Sequence, residues 1–263
     1  MSRLRAIARP RFRLLLVAVV ALASMLTAGV VWAESSAQGD GCYTWNRDLA
    51  SGATGDDVKQ LQIRVFGYPE YGKQLAVDGQ FGPATTAAVK RFQQAYGLSQ
   101  TGKGDAATYA KFYELQDDDC TPIHFTYAEL NDCNSDWSGG KVSAAEAKAN
   151  ALRVMWSLEA MRHALGDKPI TVTSGFRSVQ CNNNAGGASD SQHLYGRSAD
   201  LGAGPHSLCT LAKEARSHGF MGIFGPGYDG HDDHTHADIR STQAWSAPDC
   251  GVRKMAPGAV KHP

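Results

Sequence analysis

Ser191-Gln192-His193-Leu194-Tyr195-Gly196-Arg197-Ser198-Ala199-Asp200 is one of two short polar stretches around which the chain is organised. The other is His231-Asp232-Asp233-His234-Thr235-His236. Together the two stretches contain four imidazoles and three carboxylates. Such groups repel or desolvate one another at close range unless a cation or a reacting proton organises them. The two stretches therefore predict a metal site.

Three of these side chains are the expected metal ligands: His193, Asp200 and His236. Gly196 permits a sharp bend, so that an imidazole from a loop can meet a carboxylate from a strand. The alternation of residues 234–239 predicts another strand, and this strand carries His236. Two histidines and one aspartate leave the fourth position of a tetrahedral ion open for water. This ligand set is typical of a catalytic zinc, with one ion per chain.

Asp233, His231 and Arg177 are the residues expected to act on the substrate. Asp233 would take the proton of the attacking water, which requires a bend before His234 because position 233 has the wrong strand parity. His231 would donate a proton or stabilise the developing oxyanion. Arg177 would hold a substrate carboxylate or the oxyanion, because its guanidinium is permanently charged and forked. Asp232 is the alternative base, and the role of His234 stays open.

Residues 1–33 have the pattern of a signal peptide. Five arginines precede an apolar run over residues 14–31, and a cleavage site with small residues ends at Ala33. A membrane anchor is the alternative, because about eighteen apolar residues are at the lower limit of spanning length. We expect cleavage, and hence a secreted, extracellular protein without a stable membrane anchor.

Charge and cysteine content agree with export. The chain has 26 basic and 26 acidic residues, and five of the basic ones precede Ala33, so the remainder is mildly acidic and unsuited to nucleic acid. Six cysteines without a Cys-x-x-Cys pair predict three disulfides, for which fifteen pairings are possible. We favour the sequential pairing, because its first pair brackets one apparent domain. It joins Cys42 to Cys120, Cys133 to Cys181 and Cys209 to Cys250.

The region from residue 45 to residue 115, which follows a spacer over residues 34–44, predicts a helical domain. Val58-Lys59-Gln60-Leu61-Gln62 and Val89-Lys90-Arg91-Phe92-Gln93 match at three of five positions and form a short internal repeat. The acidic residues 116–122 lack the alternating oxygen pattern of a calcium loop and predict a solvated linker.

The region from residue 123 to residue 250 predicts an α+β domain with a small antiparallel sheet and flanking helices. Ser143 and Glu146 form a capping box that begins a long helix, and its apolar stripe ends at Gly166. Residues 169–173 are rich in β-branched side chains and predict a strand that ends just before Arg177. Residues 251–263 are expected to form a mobile tail.

The first domain resembles a known wall-binding family. Asp78-Gly79-Gln80-Phe81-Gly82-Pro83-Ala84-Thr85, followed by Ala88-Val89 and Phe92-Gln93, is similar to the peptidoglycan-binding domain found on many cell-wall hydrolases. The resemblance covers residues 45–115 and implies an all-α bundle of three helices with a wall-binding groove. It names no individual contact residue.

The second domain resembles the D-alanyl-D-alanine metallopeptidases, through Ser191-x-His193-x-x-Gly196-x-x-x-Asp200 with Asp233-x-x-His236. That family includes zinc carboxypeptidases, dipeptidases and phage endolysins. The resemblance implies a fold of the hedgehog and DD-peptidase type, the zinc ligands and substrate residues named above, and the sequential disulfides. Ser198 stands where the family usually has alanine.

The expected activity is hydrolysis of the terminal D-Ala-D-Ala bond of peptidoglycan stem peptides, with release of D-alanine by a monomer. Two alternatives remain. An endopeptidase that cuts inside stems or cross-bridges would release muropeptide fragments instead. A wall-binding protein with a structural zinc would have no need of Asp233.

Overall fold

The computed structural model describes residues 42–131, 133 and 136–253. The predicted signal peptide, most of the predicted spacer and residues 254–263 of the predicted tail lie outside them. No helix in the described ranges is long and apolar enough to cross a membrane.

Helices precede a region in which helices and strands are mixed, which confirms the predicted α+β class. The helices are α1 (Asp56–Arg64), α2 (Pro83–Ala95), α3 (Ala106–Glu114), α4 (Ala144–Ala164), α5 (Val179–Asn184) and α6 (Leu208–Ala215). The strands are β1 (Thr171–Ser174), β2 (Ser198–Gly202), β3 (Gly222–Phe224), β4 (His234–Asp238), β5 (Ala244–Ala247) and β6 (Val252–Arg253). Short 3-10 helices span Gln192–Tyr195 and Pro248–Cys250.

The first three helices form the N-terminal domain. Pro83 begins α2 at a position where its missing N–H has no intrahelical partner to lose. Asp105 caps α3, because its side chain accepts a hydrogen bond from the backbone N–H of Thr108. The core consists of apolar side chains at helical spacing that are fully buried: Val58, Leu61, Val65, Val89, Phe92 and Phe112.

The internal repeat has a structural cause in a buried glutamine. The amide of Gln62 donates to Asp78 Oδ1 at 2.9 Å and to Thr85 Oγ1 at 3.1 Å. Its oxygen accepts from the backbone N–H of Gly79 at 2.9 Å. Gly79 has a φ of 75°, in the left-handed region that favours glycine. Gln62 thus joins helix α1 to the next turn and to the start of α2.

Gln93 repeats this arrangement one helix later. It donates to the hydroxyls of Thr101 and Thr108, both at 2.9 Å. It also accepts from the backbone N–H of Gly102, whose φ is 68°. The two glutamines occupy the same position in the sequence repeat, so the repeat encodes two successive helix–turn–helix units.

A six-stranded sheet with the order β1-β2-β4-β3-β5-β6 forms the centre of the C-terminal domain. Four of the five strand pairs are antiparallel, as predicted, but β3 and β5 are parallel. The sheet is therefore mixed and not purely antiparallel. The parallel strand β5 lies along the edge of β3 that faces away from β4. Residues 252–253, which we assigned to the tail, instead pair with β5 as β6.

Helix α4 has the predicted start and end. The Ser143 side chain accepts from the backbone N–H of Glu146, and the helix ends just before Gly166, whose φ is 78°. The apolar side chains Val154, Met155, Leu158 and Met161 are fully buried.

The two halves pack together into one compact unit. A Cβ at Gly67 would lie 2.5 Å from the Cβ of Ala160, so only glycine allows this approach. His218 donates from Nδ1 to the carbonyl oxygen of Gly67 at 2.8 Å. His163 likewise donates from Nε2 to the carbonyl oxygen of Ala95 at 3.0 Å.

Three disulfides have the predicted sequential pairing. They join Cys42 to Cys120, Cys133 to Cys181 and Cys209 to Cys250. The first closes onto the predicted linker, whose residues 117–119 are exposed. Gln116 and Pro122 form an isolated bridge at its base, so this connection is a turn anchored at both ends.

Candidate metal centre

The register of two strands brings an aspartate and a histidine together. Asp200 on β2 lies directly opposite His236 on β4 in an antiparallel pair. Side chains of such a pair point to the same face of the sheet. His193 joins them from the 3-10 helix that ends at Gly196. Gly196 has a φ of 66°, and a Cβ there would collide with the carbonyl oxygen of Ala147.

The three predicted ligands converge on one point. His193 Nε2 lies 3.1 Å from Asp200 Oδ1 and 3.2 Å from His236 Nδ1, and His236 Nδ1 lies 2.9 Å from Asp200 Oδ1. All three side chains are buried. Atoms bound about 2.0–2.1 Å from one tetrahedral zinc lie about 3.3 Å apart. The separations therefore suit a small divalent ion.

In each of the two histidines, the ring nitrogen that points away from the centre (the outer nitrogen) has a hydrogen-bond partner. This partner determines the tautomer, and so whether the inner nitrogen presents a lone pair to the centre. His193 Nδ1 is hydrogen-bonded to the carbonyl oxygen of Gly175. His236 Nε2 lies 2.9 Å from Asp238 Oδ2. Both partners are acceptors, so the outer nitrogens carry the protons and the inner nitrogens present lone pairs. Two lone pairs and a carboxylate oxygen that face one another at this distance require a cation between them. The residues present therefore fit a metal ion.

The charges of the site lead to the same conclusion. Burial raises the pKa of Asp200, but His193 and His236 outweigh it and hold that pKa well below its usual range. Burial lowers the pKa of His236, yet the Asp200 and Asp238 carboxylates raise it to about 9. The carboxylates thus favour a positive charge at the centre, which a metal ion would supply.

Asp238 orients His236 through a hydrogen bond with the outer ring nitrogen of that histidine. It is fully buried and accepts from Arg240 Nε at 2.8 Å as well as from His236. Burial raises its pKa, but the hydrogen bonds from His236 and Arg240 lower that pKa to about 2. Asp238 was not among the predicted site residues. The strand period of two could have indicated it, because this period places the side chains of residues 236 and 238 on the same face of the sheet.

Arg177 lies just after β1 and contacts a ligand rather than open solvent. Its Nη2 donates to Asp200 Oδ2 at 2.7 Å, and its Nε donates to Ser174 Oγ at 2.9 Å. Its Nη1 has no hydrogen-bond partner among residues 42–131, 133 and 136–253. The guanidinium therefore holds the second oxygen of Asp200 and keeps one nitrogen for another partner.

The expected bend before His234 is present at residues 232–233. The Asp233 side chain is 89% exposed, and its Oδ1 lies 2.7 Å from His234 Nδ1. His234 Nε2 in turn lies 3.8 Å from Asp200 Oδ1. The hydrogen bond from His234 lowers the pKa of Asp233. Asp233 thus reaches the centre through His234, whose role the sequence left open.

Asp232 has a different contact, because its Oδ1 accepts from the backbone N–H of Gly227 at 2.8 Å. This bond ties together the loop before β4.

His231 lies beside the centre on that loop. Its Nδ1 donates to the carbonyl oxygen of Asp229 at 2.9 Å. Its ring centroid is 4.8 Å from that of His234 and 6.1 Å from that of His236. Partial burial lowers the pKa of His231. Because Nδ1 carries the proton of the neutral ring, Nε2 is the nitrogen free to exchange one.

Comparisons with known proteins agree with the predicted order of the two domains. The Peptidase M15 family model matches residues 123–238, and a peptidoglycan binding domain model matches residues 54–112. The zinc D-Ala-D-Ala carboxypeptidase of Streptomyces albus G is 61% identical over 93% of this chain and 100% of its own length.

Shorter similarities also occur. An uncharacterised protein of Kitasatospora aureofaciens is 35% identical over 40% of this chain and 97% of its own length. An N-acetylmuramoyl-L-alanine amidase of Bacillus licheniformis is 36% identical over 28% of this chain and 21% of its own length. The full-length similarity and the matched peptidase region show that the chain belongs to the peptidase M15 family, with a peptidoglycan-binding domain before the peptidase domain.

Proposed function

We propose that this protein is a zinc-dependent carboxypeptidase that hydrolyses the terminal D-Ala-D-Ala bond of peptidoglycan stem peptides and releases D-alanine. The observation that carries the proposal is the convergence of three buried side chains, two of which are imidazoles whose outer ring nitrogens are already hydrogen-bonded. The full-length relative from Streptomyces albus G has that activity in its name.

His193, Asp200 and His236 would hold the zinc ion. When bound, zinc supplies a positive charge that polarises a carbonyl oxygen and acidifies water. The Gly175 carbonyl and the Asp238 carboxylate keep the two imidazoles oriented toward the ion, since both hold the outer ring nitrogens.

Asp233 would take the proton of the attacking water and return it to the leaving amine. Its lowered pKa keeps the carboxylate ionised at neutral pH, and its exposure leaves it free to turn from His234 toward the substrate. His231 would donate a proton through Nε2 or stabilise the oxyanion, because its ring lies beside His236.

Arg177 would bind the free carboxylate at the end of the stem peptide. Its Nη2 is held by Asp200, which fixes the plane of the guanidinium beside the metal ligands. The remaining Nη1 can then donate a hydrogen bond to a carboxylate oxygen of the substrate close to the scissile bond. This geometry favours cleavage of the terminal peptide bond over a bond inside the stem.

Residues 45–115 would attach the enzyme to the wall, residues 123–250 would carry out the hydrolysis, and residues 116–122 would connect them. We further propose that a signal peptide over residues 1–33 directs secretion and that the mature monomer has no membrane anchor. The three disulfides support an oxidising compartment.

Hydrolysis of a diacyl-Lys-D-Ala-D-Ala peptide tests the proposed activity. Free D-alanine should appear in equal amount to the peptide consumed. An endopeptidase would leave this peptide intact and would release muropeptide fragments from isolated peptidoglycan. The absence of D-alanine release by the zinc-loaded protein would contradict the proposal.

A further inference from the structure

A cavity of about 290 Å³ lies on the N-terminal domain, away from the metal ligands, between helix α2 and the loop that follows α1. Ligand pockets typically start at about 300 Å³, so this cavity suits a group of one or two amino-acid residues. The sequence named no contact residue in this domain. The cavity is therefore the feature that can give the domain a defined ligand.

The rim of the cavity carries more positive than negative charge. Lys73 and Arg91 line it together with a single acid, Glu70. Neither cation forms an ion pair with another residue in the described part of the chain. Arg91 Nη1 only reaches the carbonyl oxygen of Tyr68, at 3.5 Å. Two unpaired cations at one rim favour a ligand with an anionic group.

The floor of the cavity is apolar and shaped by small side chains. Pro69 and Leu75 are buried beneath it. Ala84 and Ala87 of α2 line the opposite side, where larger side chains would fill the space. This floor suits methyl groups better than the phosphate and hydroxyl groups that dominate a phosphate polymer.

The loop over residues 69–75 forms one wall of the cavity, and hydrogen bonds to the peptidase domain fix its position. The backbone N–H of Gly72 donates to the carbonyl oxygen of Arg216 at 3.0 Å. The Gln74 side chain donates to the carbonyl oxygen of Gly219 at 3.2 Å. The cavity is therefore formed before any ligand arrives, which lowers the entropy cost of binding.

We propose that this cavity is the wall-attachment subsite and that it binds an acidic, alanine-containing stem peptide. A carboxylate of the peptide lies between Lys73 and Arg91, and an alanyl methyl group contacts the floor formed by Ala84 and Ala87. The inference rests on the proposed wall-directed function. It adds the residues and the ligand chemistry of the attachment site.

Binding to insoluble peptidoglycan that has been stripped of phosphate polymers tests this subsite. The full mature chain with Lys73→Gln and Arg91→Gln should bind at least about tenfold more weakly than the wild type. The matched control is Lys90→Gln with Lys103→Gln, which makes the same change of charge on the same domain and should bind as the wild type does. Melting temperatures and circular dichroism of both variants show whether they fold.

A second variant changes the shape of the cavity without changing its charge. Ala87→Leu fills the space and should weaken binding by a similar factor. Unchanged binding of both the double variant and Ala87→Leu would overturn the proposal. So would a loss of binding that occurs only on walls that retain phosphate polymers. Wild-type release of D-alanine from the soluble peptide tests the catalytic proposal separately, so the two failures can be distinguished.

Discussion

Asp200 and His236 lie directly opposite each other on two antiparallel strands, with His236 Nδ1 2.9 Å from Asp200 Oδ1. The sheet register therefore positions two of the three ligand atoms, and only His193 depends on a turn. Because a slip of one residue would turn the side chains of a strand to the other face, the ligand pair exists only in this register. The candidate metal centre is thus a consequence of how β2 and β4 pair.

Asp238 should control how tightly zinc is held. Asp238→Asn removes the charge that orients His236, and we expect about 10- to 100-fold weaker zinc binding. Competition with a chromogenic chelator measures the affinity. Asp249→Asn, an aspartate that contacts no metal ligand, is the control. Equal zinc affinity of Asp238→Asn and the wild type, with both proteins folded, would show that Asp238 has no such role.

Asp233 should matter for turnover and not for metal content. We expect Asp233→Ala to lower kcat by about 10²- to 10⁴-fold while zinc stays bound, because the base is lost and the ligands remain. Asp232→Ala is the matched neighbour and should lose far less. Steady-state kinetics with zinc analysis separates these outcomes.

His234 is the alternative candidate for the base, since it lies between Asp233 and Asp200. If Asp233 is the base, His234→Gln should retain more activity than Asp233→Ala. The reverse order would transfer the role of proton acceptor to His234.

Arg177 should make the enzyme depend on a free substrate carboxylate. The wild type should hydrolyse a peptide that ends in a free carboxylate much faster than its C-terminal amide. In Arg177→Gln the ratio of the two kcat/KM values should move toward one, whatever the loss in absolute rate. A wild-type enzyme that cleaves both peptides at the same rate would rule out this role.

Glu214 should stabilise the junction of the two domains above acid pH. The hydrogen bond with His218 lowers the pKa of Glu214, and the other ring nitrogen of His218 is bonded to the carbonyl oxygen of Gly67 in the N-terminal domain. A carboxylate with a lowered pKa stabilises the fold above its unfolded pKa and loses that contribution as the pH falls through its folded pKa.

Glu214→Gln should therefore lower the melting temperature at pH 7 by about 1–3 °C, as expected for a partly exposed pair. The difference should shrink as the pH falls below the unfolded pKa and through the lowered folded pKa of Glu214, because the wild-type carboxylate then becomes protonated. Glu70→Gln changes an exposed acid that forms no ion pair with a described residue, and it serves as the control. A difference that does not change as the pH falls would assign the effect to packing.

The parts of the fold that the sequence predicted have strong local signals. Helix α4 has a capping box and a long apolar stripe, and β4 has an alternating pattern. Strands β3 and β6 have three and two residues, too few for any periodicity to be visible. The parallel pairing of β3 with β5 depends on tertiary packing, and no local pattern reports it.

The site also has features that the sequence could predict and features that it could not. The convergence of His193, Asp200 and His236 could be predicted because residue type and spacing both indicated it. The Gly175 carbonyl behind His193 and the Arg177 contact with Asp200 could not, because each joins residues that are distant in sequence. Asp238 lies between these cases, since strand parity indicated its face and only the structure gave its partner.

Zinc titration of the chelator-stripped protein tests the central claim most directly. D-alanine release from diacyl-Lys-D-Ala-D-Ala should fall to background after stripping and return fully with one equivalent of zinc per chain. His193→Ala and His236→Ala should not recover activity at that zinc level. Full activity in the metal-free protein, or recovery of the two variants with one equivalent of zinc, would contradict it.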